Sequence, residues 1–455
     1  MEIPREYKGR YFYHFTHIDN IKSIVESGGL LSTNLKNKYN IGHHNIANVD
    51  IQNRRSEMRV PVGPGGVVHD YVPFYFATRN PMLLGLLNRK VVDQPYICFI
   101  AISIEKLLDE KVVFTNASAN TNNPPEFYNT PDMLNRLEWS LIDSMHWGEQ
   151  SEEERHQRMA EVLVYKEVPL EWFESFIVFN SLCRNEIQKC YKQLGVNCPN
   201  ISYEPFCKRH FFFTKFFFSG RENETLVMGP VQLRERYLRA IDNIIDNRKN
   251  GSCISARFYN VDHALTEIDR NFCVIPELEG IYDLQTDNEI HQESVSMHTI
   301  RVVDNVKKTI FYEKIGGRWK SVVLFAAFLH DIGKGPSEKW ENGIQHVYID
   351  HPADAIPMVE RILSEDVKNI SDSEIRRICL LVVYHDLLGD IIGNGRSLNE
   401  LLELDLNKKD LNMLAALAEA DIRALSVGWE YSIEKKLEEL IEEVTGEKND
   451  KICFW

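Results

Sequence analysis

The chain has 455 residues, of which 44% are hydrophobic and 26% are charged, and its formal net charge is −15 at pH 7. A chain of this length is expected to form about two to four domains, each able to bury its own core. The acidic balance argues against indiscriminate binding to nucleic acid, but it does not exclude a local basic groove that acts at short range.

The cysteines and the apolar runs indicate a cytoplasmic protein. The nine cysteines contain no C-x-x-C pair, so neither a zinc knuckle nor a disulfide framework is indicated, and reduced thiols are the simplest account. The N-terminus lacks the apolar segment of a secretory signal, and no run approaches the length of a membrane span. We therefore expect a soluble, cytoplasmic protein that does not bind a membrane.

The first predicted elements are a strand that begins at Tyr11 and ends at Asp19, and a short helix over Asn20 to Gly28. The helix is stopped by two consecutive glycines. His14 and Thr16 on this strand can offer hydrogen bonds to a carboxamide or a ribose. A purely structural role for a histidine at a strand end is the alternative.

The next stretch combines two arginines, a loop and a strand. Pro and Gly residues in the segment from Val60 to Gly66 exclude a helix or a continuous strand and predict a shaped loop beside Arg54 and Arg55. Alternating aromatic residues predict a half-buried strand from Tyr71 to Phe76. A planar guanidinium beside such a loop suits a pyrophosphate, since its donors can grip two oxygens. The alternative is a tight turn with arginines that face water.

Further strands are predicted over Ile97–Ile104 and Met159–Tyr165, the second of which carries Glu161 among apolar residues. Glu161 is either an edge residue that faces water or an active-site acid. The polar segment Asn116–Asn129 has the length of a lid or binding loop. The spacing of apolar residues predicts a helix over Met133–Trp147.

The first domain is expected to cover residues 1–218, followed by a linker over 219–230. Basic residues interleave with phenylalanines near its end, either to stack bases and hold phosphates or as a buried strand with charged edges. These residues are Lys208, Arg209, His210, Lys215 and Arg221, with Phe211 to Phe213 and Phe216 to Phe218.

Residues 231–455 are predicted to form an all-α domain. Its helices are expected over Val231–Arg248, Ser296–Ile310, Trp319–Leu329, Ala353–Leu363, Ser373–Tyr384, Asn399–Leu402, Asp410–Leu425 and Ile433–Val444.

Histidines and carboxylates on three of these helices indicate a metal site. His298 begins one helix, the pair His330-Asp331 ends another, and Asp421 lies in a third. A carboxylate on an apolar helical face is costly unless it is paired or bound to a metal. Two imidazoles and two carboxylates make an octahedral divalent site plausible. His351 and His385 can add a second metal.

The order of these residues resembles the HD phosphohydrolase superfamily, and in particular the HD domain attached to tRNA nucleotidyltransferases. The resemblance covers about Phe258 to Ser426. It implies that His298, His330, Asp331 and Asp421 bind a divalent metal (Mn, Mg, Fe, Ni or Zn). It implies further that Lys334 and Arg301 are the cations nearest a bound phosphate. His351 and His385 match the extra ligands of two-metal members, although Asp386 stands where many of those have a second histidine.

The first half resembles DarT, the NAD-dependent DNA ADP-ribosyltransferase family of bacterial toxin–antitoxin and phage-defence systems. The likeness runs from about Tyr11 to Phe212 and rests on the motifs around His14, Arg55, Tyr71 and Glu161. It implies an α+β ADP-ribosyltransferase fold in which a pair of β-sheets splits open around NAD. By position, Arg55 and Glu161 match the catalytic pair. The residues matching the nicotinamide pocket are His14, Thr16, Asn20, Tyr71 and Tyr75.

The sequence therefore suggests an enzyme with two active sites. The first half would transfer ADP-ribose from NAD to a base in single-stranded DNA, with RNA not excluded. The second half would hydrolyse a phosphate ester, either on the ADP-ribosylated product or in a nucleotide. Two alternatives stay open: the second half is a nucleotide sensor that gates the transferase without turnover, or only the second half is an enzyme and the first is an inert nucleic-acid-binding module.

Overall fold

The structure, a computed structural model, describes residues 2–42, 49–119, 124–147, 150–203, 208–215, 221, 223–251, 255–287, 293–425 and 430–452. The chain divides into two compact units. The first comprises Met1–Asn88 and Val92–Leu226, and the second comprises Arg89–Val91 and Val227–Trp455. Among the described residues, no helix combines the length and apolarity needed to cross a membrane.

The first unit is built on an eight-stranded mixed sheet, with short helices around it. Its strands are β1 (Tyr11–His17), β2 (Gly29–Leu31), β3 (Tyr71–Tyr75), β4 (Ile97–Ser103), β5 (Val112–Thr115), β6 (Phe127–Tyr128), β7 (Glu161–Tyr165), β8 (Glu167–Pro169), β9 (Ser175–Val178) and β10 (Asn200–Ser202). Its helices are α1 (Ile21–Glu26), α2 (Thr33–Tyr39), α3 (Val49–Glu57), α4 (Pro81–Asn88), α5 (Trp139–Ile142), α6 (Glu152–Arg158), α7 (Ser181–Leu194) and α8 (Lys208–Phe211).

The sheet opens between β1 and β3. Its order is β10-β9-β4-β1-β3-β7-β5-β6, while β2 and β8 form a separate pair. β1 pairs with β4 along all seven of its residues, but of the described residues of β1 and β3 only Tyr13 and Tyr75 pair with each other. Pro73 in the middle of β3 has no N–H to donate toward a neighbour. The seam between these two strands is therefore a place where the sheet can hold a ligand.

Two predictions for the first unit were wrong. Arg54 and Arg55 lie on helix α3 rather than in a loop, because the stretch before Pro61 contains no proline or glycine and continues as a helix to Glu57. The segment Met133–Trp147 is not one helix: a 3-10 turn over Pro131–Arg136 precedes the four-residue α5. The Trp139 indole donates to the Leu134 carbonyl at 2.8 Å, which is the acceptor that a continuous helix would use.

The phenylalanines near residue 212 belong to the core. Phe212 and Phe213 are 1% and 3% exposed, and the Phe212 ring packs against Phe99 and Phe179. Packing of this kind leaves their faces unavailable to bases. Phe216 to Phe218 and the first two positions of the predicted linker lie outside the described residues.

The second unit is mainly helical. Its helices are α9 (Pro230–Lys249), α10 (Val261–Arg270), α11 (Pro276–Glu279), α12 (Val295–Val306), α13 (Ile310–Glu313), α14 (Trp319–Leu329), α15 (His351–Arg361), α16 (Asp372–Tyr384), α17 (Leu387–Gly393), α18 (Leu398–Glu403), α19 (Lys408–Leu425) and α20 (Glu430–Ile452). The prediction of an all-α domain missed the helices α10, α11, α13 and α17. It also missed two short parallel strand pairs, β11 (Phe258–Asn260) with β14 (Val367–Asn369), and β12 (Gln285–Thr286) with β13 (Ile344–Gln345).

Candidate active site and candidate metal centre

A cavity of about 400 Å³ lies at the open seam of the first unit. Ligand pockets commonly have volumes of about 300–1,000 Å³. All five residues that sequence comparison assigned to the nicotinamide pocket line this cavity, and so does Arg55. The five are His14, Thr16, Asn20, Tyr71 and Tyr75. These six residues come from three separate segments of the sequence, and the fold places them around one cavity.

Arg55 and Glu161 form a buried ion pair beside this cavity. The two terminal nitrogens of Arg55 donate to the two carboxylate oxygens of Glu161, each at 2.9 Å. Arg55 is 6% exposed and Glu161 is fully buried. Burial alone would lower the pKa of Arg55, but the adjacent Glu161 outweighs it and raises that pKa. The two groups face each other in direct contact, with no space for a dinucleotide between them.

The start of the polar loop after β5 holds Glu161 in place. The Ala119 N–H donates to one Glu161 carboxylate oxygen at 2.9 Å, and the backbone N–H of Glu161 donates to the Thr115 hydroxyl at 3.0 Å. Tyr75 is the register partner of Glu161 on β3. Burial first, and Glu161 next, raise the pKa of Tyr75, so its hydroxyl stays protonated. Of the two interpretations of Glu161, the exposed edge residue is therefore wrong.

His14 bridges the open seam as a neutral imidazole. Its Nδ1 lies 2.8 Å from the Pro73 carbonyl oxygen, and since a carbonyl only accepts, Nδ1 carries the proton. Burial lowers the pKa of His14 to about 4. Its Nε2 is therefore a hydrogen-bond acceptor at neutral pH.

Sequence reasoning missed Lys36 and His69, which also line the cavity. Burial lowers the pKa of Lys36, and burial together with Arg55 lowers the pKa of His69. Lys36 lies on an unremarkable helix, and only its position in the fold reveals it. His69 lies two residues before Tyr71, within the motif around that tyrosine, and the sequence alone indicated no role for it.

In the second unit the six predicted metal ligands converge. His298, His330 and Asp421 form one group whose ligand atoms lie within 4.8 Å of one another, and Asp331, His351 and His385 form another. Asp386 joins this cluster, since its carboxylate lies 3.2 Å from His385 Nε2. Asp386 stands where many two-metal members of the HD superfamily have a second histidine, and in the structure its carboxylate faces the same cluster of ligands.

Three of the imidazoles present the same atom to the centre. The Nδ1 atoms of His330, His351 and His385 donate to the carbonyls of Ala327, Tyr348 and Val382 at 2.7, 2.7 and 2.9 Å. Their Nε2 atoms are therefore the ring nitrogens that face the centre. His351 Nε2 lies 3.0 Å from His385 Nε2, so two lone pairs face each other. A cation or an additional proton between them relieves that repulsion.

The acidic groups of the centre are only partly neutralised by protein. The Lys334 ammonium pairs with Asp331 at 2.7 Å, and His298 Nε2 lies 2.9 Å from Asp421. Among the described residues, His330 Nε2 and one Asp331 oxygen are buried without a well-formed hydrogen bond, although His330 Nε2 and His351 Nε2 lie 3.3 and 3.2 Å from the two Asp331 oxygens. Fixed imidazoles with backbone-bonded Nδ1 atoms are the usual surroundings of a bound metal. The residues present therefore fit a divalent cation.

Arg301, the second cation that the resemblance implied, has partners of its own in the structure. Its guanidinium pairs with Glu293 and lies 3.4 Å from the Ala424 carbonyl. Lys334 is the cation that contacts an acid of the centre.

Comparisons with known proteins bear on the first unit. A sequence model described as DarT, ssDNA thymidine ADP-ribosyltransferase, matches residues 13–213. A DNA ADP-ribosyl transferase of Thermus sp. (strain 2.9) is 34% identical over 186 residues, which span 40% of this chain and 87% of that protein. A DNA ADP-ribosyl transferase of Thermus aquaticus is 30% identical over 208 residues, or 45% of this chain and 88% of that protein.

One solved structure, Thermus sp. 2.9 DarT in complex with ADP-ribosylated ssDNA, has 31% sequence identity and a TM-score of 0.40, and covers 45% of this chain and 97% of that one.

A mixed sheet with an open seam and a buried carboxylate beside it defines an ADP-ribosyltransferase unit. At the level of family, the chain belongs to the DarT family of DNA ADP-ribosyltransferases. Its first unit is a DNA ADP-ribosyltransferase that uses NAD.

Proposed function

We propose that the first unit transfers ADP-ribose from NAD to thymidine in single-stranded DNA, with Arg55 and Glu161 as its catalytic pair. The description of the matching family supports the acceptor. The observation that carries the residue assignment is the bidentate Arg55–Glu161 contact at the edge of the seam cavity.

The seam cavity receives the nicotinamide end of NAD. The carboxamide of nicotinamide offers an NH₂ group and a carbonyl oxygen. His14 Nε2 is an acceptor at neutral pH and suits the NH₂ group, while Thr16 and Asn20, joined by a 3.0 Å hydrogen bond, supply polar atoms nearby. Tyr71 and Tyr75 supply aromatic walls for the ring.

Glu161 acts on the ribose. When the bond between nicotinamide nitrogen and the anomeric carbon breaks, the sugar acquires oxocarbenium character, and an adjacent carboxylate stabilises this positive charge. Arg55 must release at least one carboxylate oxygen so that it can meet the ribose hydroxyls. The freed guanidinium can then hold the pyrophosphate of NAD, for which its fork of donors is suited.

The acceptor is a ring nitrogen. In thymidine the base is joined to deoxyribose through N1, so N3 is the ring nitrogen that carries a proton. N3 attacks the anomeric carbon, nicotinamide leaves with the electrons of the broken bond, and the N3 proton passes to a general base. We assign that role to Glu161, the buried carboxylate that contacts Arg55 beside the seam cavity.

Mass spectrometry of single-stranded oligonucleotides incubated with NAD tests the proposal. We expect addition of one ADP-ribose to thymidine-containing strands. We expect a loss of about 10²–10³-fold in rate for Glu161→Gln, comparable to the removal of a group that stabilises transition-state charge. Glu161→Asp keeps the negative charge but shortens the side chain, so it distinguishes the loss of the charge from the loss of the ion pair with Arg55. The matched control is Glu167→Gln, an exposed residue on β8. Equal rates for Glu161→Gln and this control would exclude Glu161 from the chemistry.

For the second unit we propose an HD-type, metal-dependent phosphohydrolase. His298, His330, Asp331 and Asp421 would hold the divalent cation, with His351, His385 and Asp386 around a second position. When bound, such a cation neutralises charge on phosphoryl oxygens and lowers the pKa of water. Lys334, held against Asp331, would orient a non-bridging phosphate oxygen. The convergence of the histidine Nε2 atoms supports this proposal.

The substrate class of the second unit is a phosphate ester, either in the ADP-ribosylated strand or in a nucleotide. Full-length protein is incubated with Mn²⁺ and each substrate, and products are separated by chromatography. We expect hydrolysis by wild type and none by His330→Ala. Tight nucleotide binding without turnover would favour the sensor alternative instead.

The two proposals also predict a growth phenotype. Arg55→Ala, His330→Ala and the double variant are expressed in a bacterial host. If the helical unit restrains the transferase, only the His330 variant slows growth, and the second substitution reverses the effect.

A further inference from the structure

Two arginines of the first unit are buried without an acidic partner among the described residues. Arg79 is 5% exposed and Arg158 is 3% exposed. Other buried arginines of the chain do have such partners: Arg55 pairs with Glu161 and Arg396 pairs with Glu400. A buried cation without an anion is costly.

The contacts that these two arginines make leave several donors unused. Arg158 donates to the carbonyls of Ser144 and His146, and Arg79 points one terminal nitrogen at the sulfur of Met145. A thioether is a weak acceptor. In the described part of the unit, Nε and one terminal nitrogen of Arg79, Nε of Arg158 and the indole nitrogen of Trp147 lack a hydrogen-bond partner.

Both guanidiniums remain charged at neutral pH. Burial lowers the pKa of Arg79 to about 10. Burial, and then the neighbouring Arg79, lower the pKa of Arg158 to about 10. The Arg158 guanidinium also lies 3.5 Å from the centre of the Trp147 ring. The chain thus places two like charges close together and leaves an anion as the missing partner.

The position of the pair relates it to the candidate active site. Arg79 follows β3 four residues after Tyr75, and Arg158 precedes Glu161 by three residues. Because Tyr75 and Glu161 are register partners, both arginines lie at the end of the sheet where Glu161 begins its strand. Neither arginine lines the seam cavity.

We propose that Arg79 and Arg158, with Trp147, form a phosphate-binding site that holds a phosphodiester of the DNA strand beside Glu161. Guanidinium forks bind phosphate oxygens in pairs. Met145, which is 41% exposed, covers Arg79, and a phosphate oxygen takes the place of its sulfur. The inference of a phosphate site depends only on the buried charges of Arg79 and Arg158. The choice of DNA as the source of the phosphate rests on the proposed function.

Binding of a fluorescent single-stranded oligonucleotide to the full chain, without NAD, tests this site. We expect about tenfold weaker binding for Arg79→Gln and for Arg158→Gln. We also expect the slope of log Kd against log salt to fall by about one for each. Arg155→Gln is the matched control, since Arg155 is an exposed arginine on the same helix α6. Equal affinities for the three variants would overturn the site.

A second measurement identifies the source of the phosphate. The KM for NAD is determined from nicotinamide release without DNA, and we expect it to stay within about twofold of wild type. A raised KM with unchanged oligonucleotide affinity would assign the site to the NAD pyrophosphate and overturn the DNA source. Because strand binding is measured without turnover, a strand that binds through these arginines but is never modified would contradict the proposed function alone.

A third measurement keeps the site testable if the glutamine variants fail to fold. Arg158→Lys keeps the charge but loses the fork, and should weaken strand binding. Inorganic phosphate and pyrophosphate should raise the melting temperature of the wild-type chain above that seen with equal ionic strength of chloride. No such rise, together with wild-type strand affinity for Arg158→Lys, would reject the site.

Discussion

The two charged clusters of this chain differ in whether protein alone neutralises them. In the first unit, both oxygens of Glu161 accept from Arg55, and one of them also accepts from Ala119. In the second unit, one Asp331 oxygen accepts from Lys334, while the other lies 3.2 Å from His351 Nε2 without a well-formed hydrogen bond among the described residues. The first cluster is complete without a ligand, and the second is suited to an added cation.

This difference implies opposite responses to ligands. A substrate that reaches Glu161 must separate an existing ion pair, so part of its binding free energy is spent on that separation. A cation that enters the second cluster relieves the repulsion between the facing Nε2 atoms of His351 and His385, and it replaces the contact between His298 Nε2 and Asp421. The first site is expected to be rigid before binding, and the second is expected to gain stability from binding.

The largest expected effect is on the stability of the first unit when its ion pair is broken. Arg55→Met leaves Glu161 buried without its partner, and loss of one member of a buried pair costs about 3–5 kcal/mol. The matched control is Asp143→Asn, which breaks the bidentate Arg10–Asp143 pair. That pair is exposed, so a cost of about 0–1 kcal/mol is expected. Chemical denaturation monitored in the first unit measures both.

A double variant sharpens this result. Arg55→Met combined with Glu161→Leu removes both charges, and the free energy of unfolding should recover part of the loss because no unpaired charge remains. If Arg55→Met and Asp143→Asn lower the free energy of unfolding equally, the buried Arg55–Glu161 pair is no more costly to break than the exposed Arg10–Asp143 pair.

A site is easier to predict from sequence when its residues lie on elements whose pattern spans only a few neighbouring positions. The strand that carries Tyr75 alternates aromatic and smaller residues, and the strands that carry His14 and Glu161 are short apolar or aromatic runs, so all three were predicted as strands. The helix under Arg55 was missed because the nearby prolines and glycines dominated the interpretation of that stretch.

The partners that complete each site were harder to predict because they lie far apart in sequence. Ala119 contacts Glu161 from 42 residues away, and nothing in the local pattern around Ala119 indicates that contact. The unpaired state of Arg79 was likewise invisible, since an arginine in a sequence gives no sign of whether an acid will lie beside it. Sequence patterns predict elements, whereas the neutralisation of a buried charge depends on the packed fold.

The next effect in size is stabilisation of the second unit by a divalent cation. At roughly one hundred times its dissociation constant, a ligand that binds only the folded state adds about 2.7 kcal/mol. We expect Mn²⁺ to raise the melting temperature of wild type and to leave that of Asp331→Asn unchanged. Asp304→Asn, an exposed aspartate on α12, is the control and should respond like wild type. An equal response of all three chains would mean that the cation acts elsewhere.

The smallest effect is on the pH dependence of the first unit. Burial lowers the pKa of His14 from 6.5 to about 4 in the folded chain, so between these values the unfolded chain binds more protons than the folded one. The contribution of His14 is therefore fully present above pH 6.5 and is lost as the pH falls toward 4. We expect wild type to lose about 1–2 kcal/mol more than His14→Asn between pH 7 and pH 5. Denaturation at both pH values measures this difference, with His263→Asn in the other unit as the control. Parallel pH profiles for wild type and His14→Asn would show that His14 is not held neutral at the seam, and its role as an acceptor for the carboxamide would be lost with it.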